Sequence, residues 1–151
     1  MSSDSVWVFG YGSLVSPVSL GGTLGRTPRR GVDFIAAECD GWERRWNYGM
    51  EVQPGTLVGS EVDRVDTLVA LGITEVEGAC MNGIITIVHA DELPGLDARE
   101  RNYDRVDVTD AVRLLEDAPD ALVIDTIVTY VPRQVALDRY LEARDRGRAG
   151  I

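Results

Sequence analysis

Short apolar runs rich in β-branched residues recur along this 151-residue chain, and they constrain its fold more than any other feature. Each run is bounded by glycine, proline or polar residues, which is the pattern of β-strands. Three other segments predict helices: one that starts near Pro17, one over residues 92–101 and an amphipathic one over residues 134–146. The runs that predict strands are residues 6–9, 32–40, 66–73, 78–88, 103–109, 112–115 and 121–131.

This order of elements predicts a single α+β domain over residues 1–151. Many strands with few helices between them do not give the regular strand–helix alternation of a Rossmann-like sheet. A closed or nearly closed sheet would bury such strands without leaving exposed edges. We therefore expect a compact mixed β-barrel with flanking helices, in which Gly83 forms a bulge within the run over residues 78–88.

Composition excludes several classes of partner. The net charge of −10 argues against nucleic acid and anionic membranes. No apolar run approaches the roughly 20 residues of a membrane helix, and the N-terminus lacks the features of a signal peptide. Cys39 and Cys80 do not make a disulfide framework, so we expect a cytoplasmic protein with reduced thiols. The oligomeric state is left open.

Missing residue types exclude several chemistries. All 15 basic residues are arginine, so Schiff-base, pyridoxal phosphate and P-loop lysine chemistry are excluded. His89 is the single histidine, and no Gly-x-Ser-x-Gly motif is present, which disfavours zinc sites and a serine–histidine triad. We expect no metal site. If the protein is an enzyme, its proton chemistry then falls to Asp, Glu or Tyr.

The turn after the first predicted strand is the first candidate site. Ser16 can cap the following helix, and Pro17 can occupy its first turn. Glycines between a strand and a helix allow positive φ and close approach of a ligand, and the exposed amides form a concavity for an anion or a carbonyl oxygen. The alternative is a tight turn without a ligand. The residues concerned are Gly10, Tyr11, Gly12, Ser13 and Leu14.

Glu100 is the second candidate. At 100° per residue, Leu93, Leu96 and Glu100 fall on one face of the predicted helix. Burial and the negative end of the helix dipole both raise the pKa of a carboxylate placed there, toward the range useful in acid–base catalysis. The alternatives are a solvated carboxylate or an ion pair with Arg99, Arg101 or Arg105.

Three large aromatic residues, Trp42, Trp46 and Tyr48, lie within seven positions of each other. Such a group is typical of either a core or the wall of a cleft. Tyr103 and Tyr130 are candidate hydroxyl donors beside a ligand, and for them half-buried packing is an equally good interpretation.

The chain resembles the γ-glutamylcyclotransferase family, including its ChaC-type members, along most of its length. The resemblance rests on Val-Phe-Gly-Tyr-Gly-Ser-Leu at residues 8–14, on Gly-Trp-Glu-Arg-Arg-Trp at residues 41–46, and on Leu-Asp-Ala-Arg-Glu at residues 96–100 with Tyr103 and Arg105. The order and approximate separations of these motifs match those of the family.

That resemblance implies a mixed β-barrel, no cofactor and a small-molecule γ-glutamyl substrate. The implied reaction is the attack of the substrate's free α-amine on its own γ-carbonyl, which releases 5-oxoproline and an amine. It also implies that Glu100 handles the protons. A rival hypothesis is a non-catalytic small-molecule binding or regulatory domain on the same fold, and a nucleotide enzyme is disfavoured by the absence of lysine. The expected substrate-binding residues are Val8, Phe9, Gly10, Tyr11, Gly12, Ser13, Leu14, Tyr103 and Tyr130.

Overall fold

The computed structural model describes residues 5–51, 67–118 and 122–150. Short 3₁₀ turns cover Ser13–Val15 and Thr109–Ala111. None of the helices within these ranges has the length and apolar character needed to span a bilayer. The strands are β1 Ser5–Gly10, β2 Phe34–Glu51, β3 Thr67–His89, β4 Tyr103–Asp107, β5 Val112–Leu114, β6 Ile127–Pro132 and β7 Ala149–Gly150, and the helices are α1 Pro17–Leu24, α2 Leu93–Arg99 and α3 Gln134–Asp145.

One mixed sheet organises the domain, and the predicted α+β class is confirmed. Its strand order is β4-β6-β1-β3-β2-β5, with β7 added beside β3. β1 lies between an antiparallel neighbour, β3, and a parallel neighbour, β6. Among the described residues the two end strands, β4 and β5, do not pair with each other, so the sheet is open and the word barrel applies only loosely.

β2 and β3 form a long antiparallel pair, whereas the sequence pattern predicts several shorter strands in this part of the chain. Residues 42–48 continue β2, and the two predicted strands over residues 66–73 and 78–88 belong to β3. Residue 66 and the predicted loop over residues 53–65 lie outside the described residues. Gly41 (φ 84°) and Gly78 (φ 81°) lie where the register shifts, so these glycines let the strands continue through a bulge instead of ending them.

The predicted bulge at Gly83 is wrong. Gly83 pairs with Ala37 in regular register. A Cβ atom at this position would lie 2.3 Å from the carbonyl oxygen of Gly10 and 2.7 Å from Cζ of Phe9. The glycine is therefore needed because β1 passes very close to β3 at this point.

Buried side chains form two core clusters on opposite faces of β1. Trp7 and Phe9 belong to one cluster, with Ile35 and Ile85 from the long pair. Val8 belongs to the other, together with residues from α1, α2 and β6. Since successive side chains of a strand point to opposite faces, β1 contributes to both cores and is fixed between them.

The first helix starts and ends as its sequence indicates. Ser16 is its N-cap and accepts a hydrogen bond from the backbone N–H of Ser19 at 3.3 Å, and Pro17 opens the helix. α1 ends at Gly25 in the left-handed conformation (φ 74°).

α2 begins later than predicted. Glu92 occupies the N-cap position, and the helix starts at Leu93. The Glu92 carboxylate accepts a hydrogen bond from the backbone N–H of His89 at 2.9 Å and pairs with Arg26 at 2.8 Å. The Glu92 side chain therefore stabilises the turn before α2, although we predicted that this residue belongs to the helix itself.

α3 matches its predicted span, and the side chains that it buries most deeply are alanines. Ala136 and Ala143 are fully buried, whereas Val135 and Leu141 are 50% and 40% exposed. A Cβ atom on Gly49 of β2 would lie 2.5 Å from the backbone nitrogen of Tyr140. The helix backbone therefore packs directly on β2, and only small side chains fit between them.

The strand predicted over residues 121–131 is shorter and shifted. β6 begins at Ile127 and ends at Pro132. Residue 121 is outside the described residues, and residues 122–126 have no regular structure. There the carbonyl oxygen of Val123 accepts a hydrogen bond from the indole N–H of Trp7 at 3.2 Å.

Candidate functional site

The 10–14 turn carries the chain from the centre of the sheet to α1. The backbone N–H of Val15 donates to the carbonyl oxygen of Gly12 at 3.0 Å, which closes the 3₁₀ turn. In the described parts of the chain, the N–H groups of Gly12, Ser13 and Leu14 have no protein acceptor. These three consecutive amides therefore lack an acceptor among the described residues, as an oxygen-binding concavity requires.

Gly10 of this turn is needed for space, and neither of its glycines is needed for positive φ, which corrects the expectation from the sequence. Neither Gly10 nor Gly12 is among the glycines with positive φ. A Cβ atom on Gly10 would lie 2.8 Å from Cβ of Leu14, so the turn folds tightly back on itself. A Cβ atom on Gly12 would make only an ordinary contact, 3.6 Å from Cδ2 of Leu71.

Glu100 lies at the C-cap of α2, where its backbone N–H donates to the carbonyl oxygen of Leu96 at 2.9 Å. Its side chain is 13% exposed, and Leu96 is fully buried. The inward orientation expected from the periodicity is therefore observed, although the helix ends at Arg99, two residues earlier than predicted. Burial raises the pKa of Glu100, and the nearby Arg99 guanidinium lowers it by a smaller amount.

Arg99 connects Glu100 to the turn and to α1. Its Nε lies 3.3 Å from Oε1 of Glu100, so the ion pair considered as an alternative is present. Its two Nη atoms donate to the Ser13 hydroxyl at 2.8 Å and to acceptors on α1, namely the Ser19 hydroxyl, the Ser19 carbonyl oxygen and the Thr23 hydroxyl. The sequence identified Arg99 only as a partner of Glu100 and not as a link between elements.

A cavity of about 440 Å³ brings the two candidate sites together. Val8, Phe9 and Gly10 are outside this lining, and the side chains of Val8 and Phe9 pack in the two cores. The lining combines residues of the 10–14 turn, the end of α2 and four strands, β2, β3, β4 and β6. It consists of Tyr11, Gly12, Ser13, Leu14, Trp46, Val69, Ala70, Leu71, Glu100, Tyr103 and Tyr130.

The three tyrosines of the lining donate their hydroxyl protons to protein acceptors. Tyr11 donates to the carbonyl oxygen of Tyr130 at 2.6 Å, Tyr103 to that of Leu71 at 2.8 Å, and Tyr130 to Asp97 at 2.8 Å. Burial raises the pKa of all three tyrosines, so they stay neutral. Toward a ligand each offers a hydroxyl oxygen as acceptor, while the role of Tyr103 and Tyr130 as donors stays a prediction.

The aromatic segment of β2 divides between core and cavity. Trp46 lines the cavity and is 53% exposed. Tyr48 is buried and stacks on Tyr103 with ring centroids 4.3 Å apart, and Trp42 packs against the core. Residues 69–71 of β3 were not predicted to form part of the site, because only the β2–β3 register, which pairs Trp46 with Leu71, reveals their position.

The remaining chemistry-bearing side chains lie outside the cavity lining. Cys39 is buried, and burial raises the pKa of its thiol to about 11, while Cys80 is exposed. His89 shares a hydrogen bond of 2.9 Å between its Nδ1 and the Ser5 hydroxyl. Over the described ranges, no group of three or more His, Cys, Asp or Glu side chains is arranged to hold a metal ion.

Solved structures share this fold at low sequence identity. A protein from Arabidopsis thaliana is 24% identical, with a TM-score of 0.56 over 97% of this chain and 84% of that chain. A γ-glutamyl cyclotransferase specific to glutathione, from yeast, is 15% identical, with a TM-score of 0.56 over 85% of this chain and 69% of its own. An uncharacterized protein from Homo sapiens is also 15% identical, with a TM-score of 0.59 over 87% of this chain and 69% of that chain.

These likenesses establish a γ-glutamyl cyclotransferase-like fold and confirm the expected resemblance at the level of the fold. A further structure described as a γ-glutamyl cyclotransferase is 15% identical, with a TM-score of 0.56 over 95% of this chain and 80% of that chain. No protein-family model matches the sequence, and neither does any curated protein.

Proposed function

We propose that this chain, which has the γ-glutamyl cyclotransferase-like fold, is a cofactor-independent γ-glutamyl cyclotransferase of the cytoplasm. One observation carries the proposal: Glu100, whose side chain is largely buried, lines the same cavity as Gly12, Ser13 and Leu14, whose amides have no acceptor among the described residues. A base beside a set of preorganised hydrogen-bond donors is what an acyl transfer to nitrogen requires.

The reaction is an intramolecular aminolysis. The α-nitrogen of a γ-glutamyl group attacks its own γ-carbonyl carbon, a five-membered ring closes, and the bond from that carbon to the amide nitrogen breaks. Two protons leave the attacking nitrogen. The departing amine takes up one as the bond breaks and a second when it becomes an ammonium ion, so the products are 5-oxoproline and a free amine.

Glu100 supplies the proton transfers in this scheme. Its carboxylate accepts a proton from the substrate's ammonium group, which makes the nitrogen nucleophilic, and returns a proton to the departing nitrogen. Burial raises the pKa of Glu100 and brings it closer to the pKa values of the groups with which it exchanges protons. One carboxylate is sufficient because each transfer leaves it ready for the next.

The 10–14 turn stabilises the charge that develops on the carbonyl oxygen. The N–H groups of residues 12–14 are fixed by the closed 3₁₀ turn, so they require no reorganisation during the reaction. Holding the glutamyl chain folded back on itself supplies the orientational part of the rate enhancement. Ser13 is additionally fixed by its hydrogen bond from Arg99.

The test is a panel of γ-glutamyl peptides and amines assayed for 5-oxoproline release. We expect wild-type protein to release 5-oxoproline, and Glu100→Gln to lower kcat by at least about 100-fold, as for loss of a general base. The matched control is Glu142→Gln, the same change at an exposed position on α3, which should retain full activity. Normal turnover by Glu100→Gln would rule out this mechanism.

A second candidate is a non-catalytic small-molecule binding domain on the same fold. The observation that favours it is the 3.3 Å contact of Arg99 with Glu100, since a paired carboxylate is a weaker base. This candidate predicts thermal stabilisation by glutamate or 5-oxoproline without turnover of any substrate in the panel.

A further inference from the structure

We infer that the leaving group of the substrate is an uncharged, apolar amine, with an aromatic ring that packs on Trp46, and not an amino acid or peptide with a free carboxylate. This inference rests on the proposed function and specifies its substrate class. It concerns the half of the cavity that the glutamyl group does not fill.

The cavity is graded from a buried end to an exposed end. Tyr130, Leu14 and Tyr11 are 2%, 7% and 8% exposed, and they share the buried end with Glu100. Trp46, at 53%, and Ser13 are the exposed residues of the lining, and we call the side of the cavity at Trp46 the mouth. The reacting carbonyl must lie beside Glu100 and the turn amides. The amine that departs toward solvent therefore extends toward the mouth.

The wall between these two ends is apolar. Val69 and Leu71 of β3 contribute aliphatic side chains, and Ala70 lies between them. Trp46 pairs with Leu71 across the two strands, so the indole and the aliphatic wall lie side by side. When a flat apolar group of a ligand covers an exposed indole at the border of a cavity, the buried apolar surface favours binding.

Among the described residues of this wall, a carboxylate on the leaving group would find no cation. Glu100 is the single ionisable group with a formal charge at neutral pH among the described lining residues. The neighbouring arginines already have partners in the protein: Arg99 contacts Glu100 and donates to Ser13. Arg44 donates to the carbonyl oxygen of Tyr11 at 2.9 Å, and Arg45 pairs with Glu43 at 3.1 Å. Together with the net charge of −10, this arrangement disfavours an anionic leaving group.

Three substrates that share the γ-glutamyl group separate the effect of charge from that of the ring. γ-Glutamyl-phenethylamide and γ-glutamyl-phenylalanine differ only by a carboxylate, and γ-glutamyl-ethylamide lacks the ring. We expect kcat/KM for the phenethylamide to exceed that for each of the others by about tenfold, as is usual for one well-packed apolar group. Glutathione, whose leaving dipeptide is anionic, should be a poor substrate.

Variants of Trp46 test whether the indole is the cause. Trp46→Ala should lower kcat/KM for the phenethylamide by about tenfold and so remove its advantage over the ethylamide, whereas Trp46→Phe should retain most of that advantage. Equal or better turnover of γ-glutamyl-phenylalanine or glutathione, or an unchanged preference in Trp46→Ala, would overturn the inference while the proposed function stands. Absence of 5-oxoproline from every substrate would overturn both.

Discussion

Arg99 is the residue on which the site geometry most depends. One guanidinium, with its side chain 21% exposed, contacts the Glu100 carboxylate and donates hydrogen bonds to Ser13 and to α1. A largely buried cation is stable only when its donors are satisfied, and here its partners come from three separate segments. Arg99 therefore fixes the distance between the turn and the proposed base, and it also tunes that base.

Replacing Arg99 should move the pH dependence of activity. The guanidinium favours the ionised form of Glu100, so Arg99→Gln should raise the pKa of that carboxyl further. Because the ionised form acts as the base, the acidic limb of the kcat/KM profile should shift to higher pH. Arg99→Lys, which keeps a positive charge, should shift it less. A purely structural role would lower kcat/KM at every pH without moving the limb.

Glu100 should also limit stability at neutral pH. Its folded-state pKa lies above the ordinary value of 4.5, so the fold favours the protonated form. That stabilisation is complete below pH 4.5 and is lost as the pH rises through the folded-state pKa. Gln resembles the protonated acid at every pH. Glu100→Gln should therefore have a higher Tm than wild type at pH 7.5, with the difference vanishing at pH 4.

Thermal unfolding across this pH range measures the difference, and Glu142→Gln serves as the exposed control. A lower Tm for Glu100→Gln at pH 7.5 would contradict the prediction, since it would mean that the contact with Arg99 outweighs the cost of burying the carboxylate.

At the scale of elements, two adjacent glycines of α1 should respond oppositely to alanine. A Cβ atom on Gly22 meets no atom within 4 Å, so Gly22→Ala should raise the free energy of unfolding by about 0.5–1 kcal/mol through helix propensity. A Cβ atom on Gly21 would lie 2.8 Å from the backbone oxygen of Arg26, so Gly21→Ala should destabilise the protein. Urea unfolding of both variants tests the pair. Equal effects would show that α1 does not pack tightly against the segment that follows it.

β2 and β3 show how an element can be longer than its sequence suggests. Glycines usually weaken strands, and Gly41 and Gly78 therefore resembled strand ends. In the structure they permit a register shift, and a second shift follows between Trp46 and Tyr48. β-Bulges re-aim side chains beside functional sites, and here Trp46 lines the cavity while Tyr48 is buried against Tyr103.

For the whole molecule, the position of β1 explains why the cavity forms where it does. β1 pairs with β3 on one side and β6 on the other, and it is fixed by the cores on both of its faces. The turn that leaves its end is therefore held rigidly. α2 packs against the second of these cores through Leu96, which brings Glu100 to the same place.

Features that depend on neighbours along the chain were determined by the sequence itself. The start of α1 at Ser16 and Pro17 follows from capping chemistry within one turn, and the inward face of Glu100 follows from its spacing from Leu93 and Leu96. The α+β class likewise followed from the succession of apolar runs, because strand and helix periodicities are local properties.

Only the tertiary structure decided which distant residues meet. Arg99 and Ser13 are 86 positions apart, and Tyr103 reaches a carbonyl oxygen on β3 that is 32 positions away. The open edges of the sheet, the alanine face of α3 and the apolar wall beside Trp46 depend in the same way on strand register and close packing. Such contacts arise from the simultaneous burial of many side chains, and no spacing along the chain encodes them.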